Sequence, residues 1–117
     1  MDCGNKKVTV DTNRQVLENE AKKGIENISS DVKVDNGIII PPCFIGEGVQ
    51  IINSVVGPHV SIGEGTVVSD SVIKNSIIQK DTTIHSAVLK DSMIGNKVHY
   101  KGLASDLSIG DYTTVDA

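Results

Sequence analysis

Residues 39–62 read IIPPCFIGEGVQIINSVVGPHVSI, and within them an aliphatic residue returns every five or six positions. The spacing continues to residue 94, and the eleven members of the series are Ile39, Ile45, Ile51, Val56, Ile62, Val68, Ile73, Ile78, Ile84, Leu89 and Ile94. An amphipathic helix needs apolar spacings of three and four, so it does not fit. In a strand, alternate side chains share a face, so each aliphatic residue and the small residue two positions before it both point inward. This short fixed period is typical of a parallel β-helix of hexapeptide repeats.

Three repeats make one coil of the predicted fold. Members three repeats apart are separated by 17 residues early in the series, as from Ile39 to Val56, and by 16 later, as from Ile78 to Ile94. Like residues therefore stack in columns, with strands of successive coils about 4.8 Å apart. We expect an all-β fold, a single-stranded left-handed parallel β-helix of about four coils, with one N-terminal α-helix. The left-handed winding opposes the usual crossover rule and is expected from the repeat type, not from the spacing.

Two kinds of corner separate the predicted strands. Four of the six six-residue repeats place glycine directly after the aliphatic residue, which predicts a backbone conformation that glycine reaches easily. The five-residue repeats instead favour Asn or Asp followed by Ser, whose side chains bond nearby backbone at a tight corner. The glycines are Gly46, Gly57, Gly63 and Gly95, and the pairs are Asn53-Ser54, Asp70-Ser71, Asn75-Ser76 and Asp91-Ser92.

The residues before the repeat predict a helix and a linker. Residues 5–23 place Val10, Leu17 and Ala21 on one face, and Gly24 is the expected stop. A stripe this narrow does not make a domain, so the helix is expected to lean on the β-helix, to cap it, or to belong to something larger. We therefore divide the chain into residues 1–24, a linker with some extended character at 25–37, and the β-helix at 38–117.

Composition argues against several classes of partner. A net charge of −4 with scattered lysines, one Phe, two Tyr and no Trp makes nucleic acid and membranes unexpected partners. The sequence shows no signal peptide and no long apolar run, which favours the cytoplasm. Cys3 and Cys43 are too few and too far apart for a disulfide framework, and Cys43 is expected to fill a small inward position.

The chain resembles a known domain junction. Three short stretches carry the resemblance: Met1-Asp2-Cys3-Gly4-Asn5, Thr12-Asn13-Arg14 and Val16-Leu17. They are similar to the end of the catalytic domain in bacterial and archaeal sugar-1-phosphate nucleotidyltransferases. These enzymes include the glucose-1-phosphate thymidylyltransferase and mannose-1-phosphate guanylyltransferase types. In that family a C-terminal left-handed β-helix follows. Residues 41–47, 57–63 and 107–111 resemble its first coil, second coil and tail. The resemblance spans nearly the whole chain, and the Asp-Cys-Gly start is its more specific part.

The resemblance implies what the chain supplies and what it lacks. Asp2 matches the family's second Mg²⁺-binding aspartate, but the first aspartate, the Trp of the Trp-x-Asp-x-Gly motif and the Gly-rich nucleotide signature are absent. Two carboxylates normally share that ion with the substrate phosphates, so Asp2 alone is not expected to hold it. We expect a C-terminal piece of such an enzyme, inactive alone and without a cofactor, that serves as an assembly or regulatory scaffold. Mg²⁺ belongs to the parent enzyme, and the missing catalytic domain is an expected partner.

The histidines are the candidates for chemistry in the β-helix itself, since hexapeptide prisms also form acyltransferases and zinc carbonic anhydrases. His59, His85 and His99 do not fall in one column, so a zinc site within one subunit is not expected, while ligation across a trimer interface stays open. The alternative function is a hexapeptide-repeat acyltransferase acting on amino sugars, as in some archaeal relatives, with His59 as candidate base. Its loop excursion, Tyr100 to Leu107, comes late, so a turn residue is the favoured interpretation of His59.

The residues directly before the aliphatic members point outward and form three faces. The first face carries Ile38, Val55, Val72 and Val88, the second Phe44, Ser61, Ile77 and Met93, and the third Gln50, Val67, Thr83 and His99. A stacked aliphatic column on an outer face favours an interface, although Val and Ile suit strands anywhere. We predict a homo-oligomer, a dimer or a trimer, with interface residues Ile38, Val55, Val72, Val88, Phe44, Ile77 and Met93. The first face has three candidate occupants: a symmetry mate, the N-terminal helix or the missing catalytic domain.

Overall fold

The computed structural model describes residues 6–25, 27–101, 108–109 and 114–116. Asp2, Cys3 and most of the excursion between Tyr100 and Leu107 lie outside them. Within these ranges, helix α1 spans Lys6–Lys22 and is followed by sixteen short strands. The strands are β1 (Asn27–Ile28), β2 (Lys33–Asp35), β3 (Ile38–Ile39), β4 (Cys43–Ile45), β5 (Gln50–Ile52), β6 (Val55–Val56), β7 (Val60–Ile62), β8 (Val67–Ser69), β9 (Val72–Lys74), β10 (Ile77–Ile78), β11 (Thr83–His85), β12 (Val88–Lys90), β13 (Met93–Ile94), β14 (His99–Lys101), β15 (Ser108–Ile109) and β16 (Thr114–Asp116).

The strands form three parallel sheets, and each sheet receives every third strand until β14. Sheet A has the order β1-β4-β7-β10-β13-β15, sheet B has β2-β5-β8-β11-β14-β16, and sheet C has β3-β6-β9-β12. In sheet C, Ile39 pairs with Val56, Val56 with Ile73 and Ile73 with Leu89. The spacings of 17 and 16 residues are therefore the coil lengths. The predicted single-stranded parallel β-helix with one helix is confirmed, with four coils complete in all three sheets; its left-handed winding stays a prediction.

The inward positions form the core. Every aliphatic member of the series from Ile45 to Ile94 is at most 1 % exposed, and the small residues beside them are buried as well. Tyr100 extends the series by one more repeat, because it pairs with Ile84 and is buried. Cys43 is buried among these residues and donates its thiol hydrogen to the carbonyl of Ile40, which makes it the packing residue expected from its position.

The β-helix begins earlier than predicted. β1 pairs with β4 and β2 pairs with β5, so residues 27–35 belong to the first coil and not to a linker. Ile28 and Val34 continue the aliphatic period backwards from Ile39 with spacings of five and six. One small position departs from the repeat, because Glu26 stands two residues before Ile28, whereas Val32 and Gly37 stand two residues before Val34 and Ile39 as the repeat requires.

Glycine at most of the long corners has a different role from the predicted one. Gly46 and Gly63 are not among the residues with positive φ. A Cβ at Gly63 would lie 2.8 Å from the carbonyl carbon of Gln79 in the next coil, and a Cβ at Gly46 would lie equally close to backbone. These glycines therefore allow neighbouring coils to approach closely. The left-handed conformation falls two residues later, at Gly48 and Gly65, with φ of 68° and 73°.

The change of coil length occurs at one corner. Every repeat between sheets A and B has six residues, and every repeat between sheets B and C has five. Between sheets C and A, the repeats of Ile39 and Val56 have six residues, whereas those of Ile73 and Leu89 have five. Gly57 in the longer version has a φ of 108°, so at this corner the predicted conformational role of glycine is confirmed.

The corners with Asn or Asp followed by Ser are held by hydrogen bonds, as predicted. Four such residues have φ between 46° and 51°, namely Asn53, Asp70, Asn75 and Asp91. Each following serine donates its hydroxyl to the carbonyl two residues before it, as Ser71 does to Ser69 at 2.7 Å. Ser71 also accepts the backbone N–H of Ala87 from the next coil at 3.1 Å. A buried hydroxyl of this kind ties two coils together.

Helix α1 ends as predicted, but only two of the three residues of its predicted apolar face are buried. Gly24 has a φ of 76° and donates its N–H to the carbonyl of Ala21 at 3.0 Å, a common way to end a helix. Val10 and Leu17 are buried, whereas Ala21 is exposed. The helix contacts β7, so it leans on sheet A with its narrow apolar stripe.

Candidate functional site: an aliphatic sheet face

The outward face of sheet C is the candidate site. Its four strands place Ile38, Val55, Val72 and Val88 in register, one above the other, and we call these four residues the aliphatic stripe. Ile38 and Val88 are 58 % and 49 % exposed, and the two valines between them are half-buried. A continuous column of accessible apolar side chains on a flat sheet is the kind of surface that a partner covers.

A polar border runs beside the aliphatic stripe, at the corner between sheets B and C. The side-chain amide of Asn36 donates to Oδ1 of Asn53 at 2.8 Å, and the amide of Asn53 donates to Oδ1 of Asp70 at 2.7 Å. All three residues have positive φ, which Asn and Asp adopt more readily than most residues. We call Asn36, Asn53 and Asp70 the Asx ladder. A groove of about 670 Å³ lies between the ladder and the stripe.

This arrangement has the composition of a small protein interface. The apolar stripe is bordered on one side by fixed amides and a carboxylate, and on the other by the exposed Lys74 and Lys90 at the ends of β9 and β12. Interfaces commonly have an apolar centre with a polar rim that excludes water from it. The stripe and its borders therefore suit a protein partner better than a small substrate.

Helix α1 occupies the second predicted interface face, on sheet A. Ser61 donates its hydroxyl to Oδ1 of Asn13 at 2.7 Å, and Leu17 borders a cavity together with Cys43 of the coil below. Asn13 and Leu17 are about 6 Å apart along the helix at about 1.5 Å per residue, and Ser61 and Cys43 lie on neighbouring strands of sheet A about 4.8 Å apart. The helix thus runs along the stacking direction of sheet A. It is not the occupant of the aliphatic stripe, which removes one of the three candidates for that face.

The predicted interface residues of sheet A differ in exposure. Phe44 is 45 % exposed, Ile77 is half-buried, and Met93 is only 6 % exposed. Met93 follows Ile77 in the register of sheet A and is directed away from the core, as predicted. It is nevertheless covered within the chain. Met93 is therefore removed from the set of exposed interface residues.

His59 joins the helix to the β-helix. It lies at the corner between sheets C and A with a φ of 64°. Its Nε2 is 2.9 Å from Oε1 of Glu18 on α1, and its side chain is 19 % exposed. The expected turn position is found, but the ring is less exposed than a free turn residue would be. The contact with Glu18 gives His59 a structural role in docking α1.

The other two histidines lie on sheet B. Nδ1 of His85 is 2.7 Å from Oγ of Ser69 and 3.8 Å from Oδ2 of Asp70. In a nucleophilic triad the serine and the carboxylate contact opposite ring nitrogens, whereas here both approach Nδ1, so the histidine does not link them in series. His99 lies exposed on β14. In the part of the chain that the structure describes, no three His, Cys, Asp or Glu side chains are grouped to hold a metal ion.

The comparisons with known proteins give no family for the chain. No protein-family model matches the sequence, and no curated protein matches it. No helix among the described residues is both long and apolar enough to cross a membrane. Asp2, which the resemblance matches to a Mg²⁺-binding aspartate of the nucleotidyltransferase family, lies outside the described residues. The function is therefore inferred from the aliphatic stripe and from the resemblance of the sequence.

Proposed function

We propose that this chain is the C-terminal left-handed β-helix of a cytoplasmic sugar-1-phosphate nucleotidyltransferase and serves as its assembly and regulatory scaffold. The parent reaction joins a nucleoside triphosphate to a sugar-1-phosphate and releases pyrophosphate, with Mg²⁺ in a catalytic domain outside this chain. Two observations support the proposal. The motifs at 41–47 and 57–63 lie in consecutive coils of a β-helix, and the helix after the Asp-Cys-Gly start docks on that β-helix.

The scaffold role is carried by one observation, the aliphatic stripe. Burying a Val or Ile side chain fully contributes about 1.5–3 kcal/mol, and about half of that is still to be gained at Ile38 and Val88. The four residues together therefore offer roughly 3–4 kcal/mol per copy. Association has to offset roughly 4–15 kcal/mol of lost freedom. A symmetric interface buries the stripe twice, so it supports a homo-oligomer better than a contact with a polar partner.

The experiment that tests this role is a Val72→Glu substitution. It places a carboxylate in the centre of the stripe, and we expect the mass in solution to fall to that of a smaller species. Val67→Glu is the matched control, because Val67 is a half-buried outward valine of the same coil on sheet B. Light scattering after size exclusion measures both variants. An unchanged mass for Val72→Glu contradicts assembly through the stripe.

The acyltransferase alternative is separated from the scaffold by its donor. A scaffold binds no acetyl-CoA, whereas an acyltransferase does, and calorimetry on this chain measures the difference. Binding that is lost in His59→Ala but retained in His85→Ala would favour the acyltransferase with His59 as base. The parentage has a test of its own in the coding sequence upstream of Met1. We expect a Trp codon directly before Met1 and a Gly-rich nucleotide signature further upstream.

A further inference from the structure

Among the described residues, the first coil has no further strand paired to its outer edge, and we call this apolar end of the β-helix the open end. Strands β1, β2 and β3 are the outermost strands of sheets A, B and C. Nine large hydrophobic side chains of the described residues are exposed, and five of them lie in or beside this coil: Ile25, Ile28, Val34, Ile38 and Ile40. A strand edge with apolar side chains and unpaired backbone groups is a template for a further strand. This end is a different surface from the face of sheet C, although Ile38 lies where the two meet.

The backbone at this end is directed outward in a regular way. The N–H groups of Ser29, Lys33 and Ile38 donate to carbonyls of the second coil at 2.9, 3.0 and 3.0 Å. Backbone groups of consecutive residues point to opposite sides of a strand. The N–H and C=O groups of Ile28 and Val34 are therefore directed away from the second coil, towards the open end. They can pair with an added strand without breaking a bond inside the chain.

Strand β2 is complementary to an inverted copy of itself. Its sequence is Lys33-Val34-Asp35, and all three side chains are exposed. When two β2 strands run antiparallel with Val34 opposite Val34, each Lys33 faces the partner's Asp35. The two valines then exchange both backbone hydrogen bonds, and the charged residues form the pairs whose side chains lie closest. Within the described residues, neither Lys33 nor Asp35 takes part in any of the ion pairs.

We propose that a second copy of this chain docks on the open end, so that two β-helices stack end to end about a two-fold axis through the paired β2 strands. This axis exchanges sheets A and C, so β1 meets the partner's β3, again antiparallel. Ile28 then lies against the partner's Ile39, and the core of one copy continues into the core of the other. The contact is isologous and covers both open ends, so it forms a closed dimer and not a fibre.

The small area of the end makes the contact weak. Each side of a coil is about six residues long at about 3.3 Å per residue, so the end is roughly 20 Å across. A standard interface buries about 800 Å² per partner, which is more than this end offers. The contact therefore gives a monomer–dimer equilibrium that depends on concentration.

Charge reversal on β2 tests the contact by sedimentation over a concentration series. Lys33→Asp places two acidic pairs across the axis, and Asp35→Lys places two basic pairs there. Each variant alone raises the dissociation constant of the dimer by about tenfold or more. An equimolar mixture of the two variants restores both ion pairs in a heterodimer, so the mixture dimerises as the unaltered chain does. Lys101→Asp changes the net charge as Lys33→Asp does, but on β14, far from β2 in sheet B, and leaves the dissociation constant unchanged.

Three results would overturn the proposal. The first would be an unaltered chain that stays monomeric at every concentration up to about 1 mM. The second would be a mixture of Lys33→Asp and Asp35→Lys that is no heavier than either variant alone. The third would be a dimer that persists in both charge-reversal variants and is lost in Val72→Glu, which would assign that dimer to the aliphatic stripe. Val34→Pro is a second probe, since it removes an N–H that the chain itself does not use; if the contact is correct, it abolishes the end-to-end association as Lys33→Asp does, with an unchanged circular dichroism spectrum.

Discussion

Replacing Gly63 with alanine is expected to destabilise the chain strongly, although Gly63 has an ordinary backbone conformation. The added Cβ would lie 2.8 Å from the carbonyl carbon of Gln79 and 2.9 Å from the nitrogen of Lys80. Both are backbone atoms, which cannot turn aside as the end of a side chain does. Two coils of the β-helix must therefore separate locally. Overpacking of this kind costs about 1–3 kcal/mol, and we expect the upper end of that range for Gly63→Ala.

Gly48→Ala provides the matched comparison at the same type of corner. Gly48 has a φ of 68°, but the nearest atom to an added Cβ is the nitrogen of Gly65 at 4.0 Å. Only the strain of the left-handed conformation remains, about 1–2 kcal/mol. Asp81 and Lys97 adopt this conformation at the equivalent corners of later coils, with φ of 53° and 55°. The corner thus accepts a side chain at this position.

Urea unfolding followed by far-ultraviolet circular dichroism measures both substitutions. Gly63→Ala is expected to lower the free energy of unfolding by about 1 kcal/mol more than Gly48→Ala does. For a domain of this size, each kcal/mol corresponds to about 4–8 °C in the melting temperature. A loss for Gly48→Ala equal to or larger than that for Gly63→Ala would refute the reasoning. It would show that the long corners need glycine for its conformation and not for the space it leaves.

Other contacts of the chain give three more predictions. Ser71→Ala leaves the buried N–H of Ala87 without its acceptor and lowers the free energy of unfolding by about 1–3 kcal/mol, against about 0.5 kcal/mol or less for the exposed Ser86→Ala, both measured in urea. Glu18→Ala weakens the docking of α1, so amide exchange accelerates in the helix and not in sheet C; equal exchange in both proteins would contradict this. Burial raises the pKa of the Cys43 thiol above its ordinary 9.0. As the pH rises, the unfolded chain therefore loses the thiol proton before the folded chain does. The free energy of unfolding is unaffected by this group below pH 9.0 and falls at higher pH. Cys43→Ala removes this fall, as urea midpoints at neutral and alkaline pH would show.

The sequence predicts the fold well because packing repeats with the sequence period. Each inward column is a list of residues spaced by one coil, so burial follows from position alone, as it does for Ile62 and Ile78. The same period at Ile28 and Val34 marks the first coil. Glu26 interrupts the small inward positions there, so the pattern predicts a linker in place of the first strands.

The candidate site is less predictable because it depends on distances that a period does not contain. The alignment of the aliphatic stripe follows from the register, but the register does not predict that α1 packs on sheet A and leaves the stripe uncovered. The period places Met93 on the correct side of its strand, yet it does not predict that Met93 is buried, because the period says nothing of what packs on sheet A. The corner pattern singles out Gly63 correctly, but the reason for glycine there is the approach of Gln79 from another coil.

The three faces and the open end differ in what covers them. Sheet A carries α1, sheet B presents a mixed outer face, and sheet C and the first coil each leave apolar surface accessible among the described residues. The aliphatic stripe faces sideways, whereas the open end faces along the axis, so one copy can use both at once. If both contacts form and their symmetry axes intersect at right angles, the assembly closes with four copies for a stripe dimer and six for a stripe trimer. Val72→Glu would then leave a dimer, Lys33→Asp would leave the stripe oligomer, and the two changes together would leave a monomer. These three masses distinguish two independent contacts from a single contact that both substitutions disrupt.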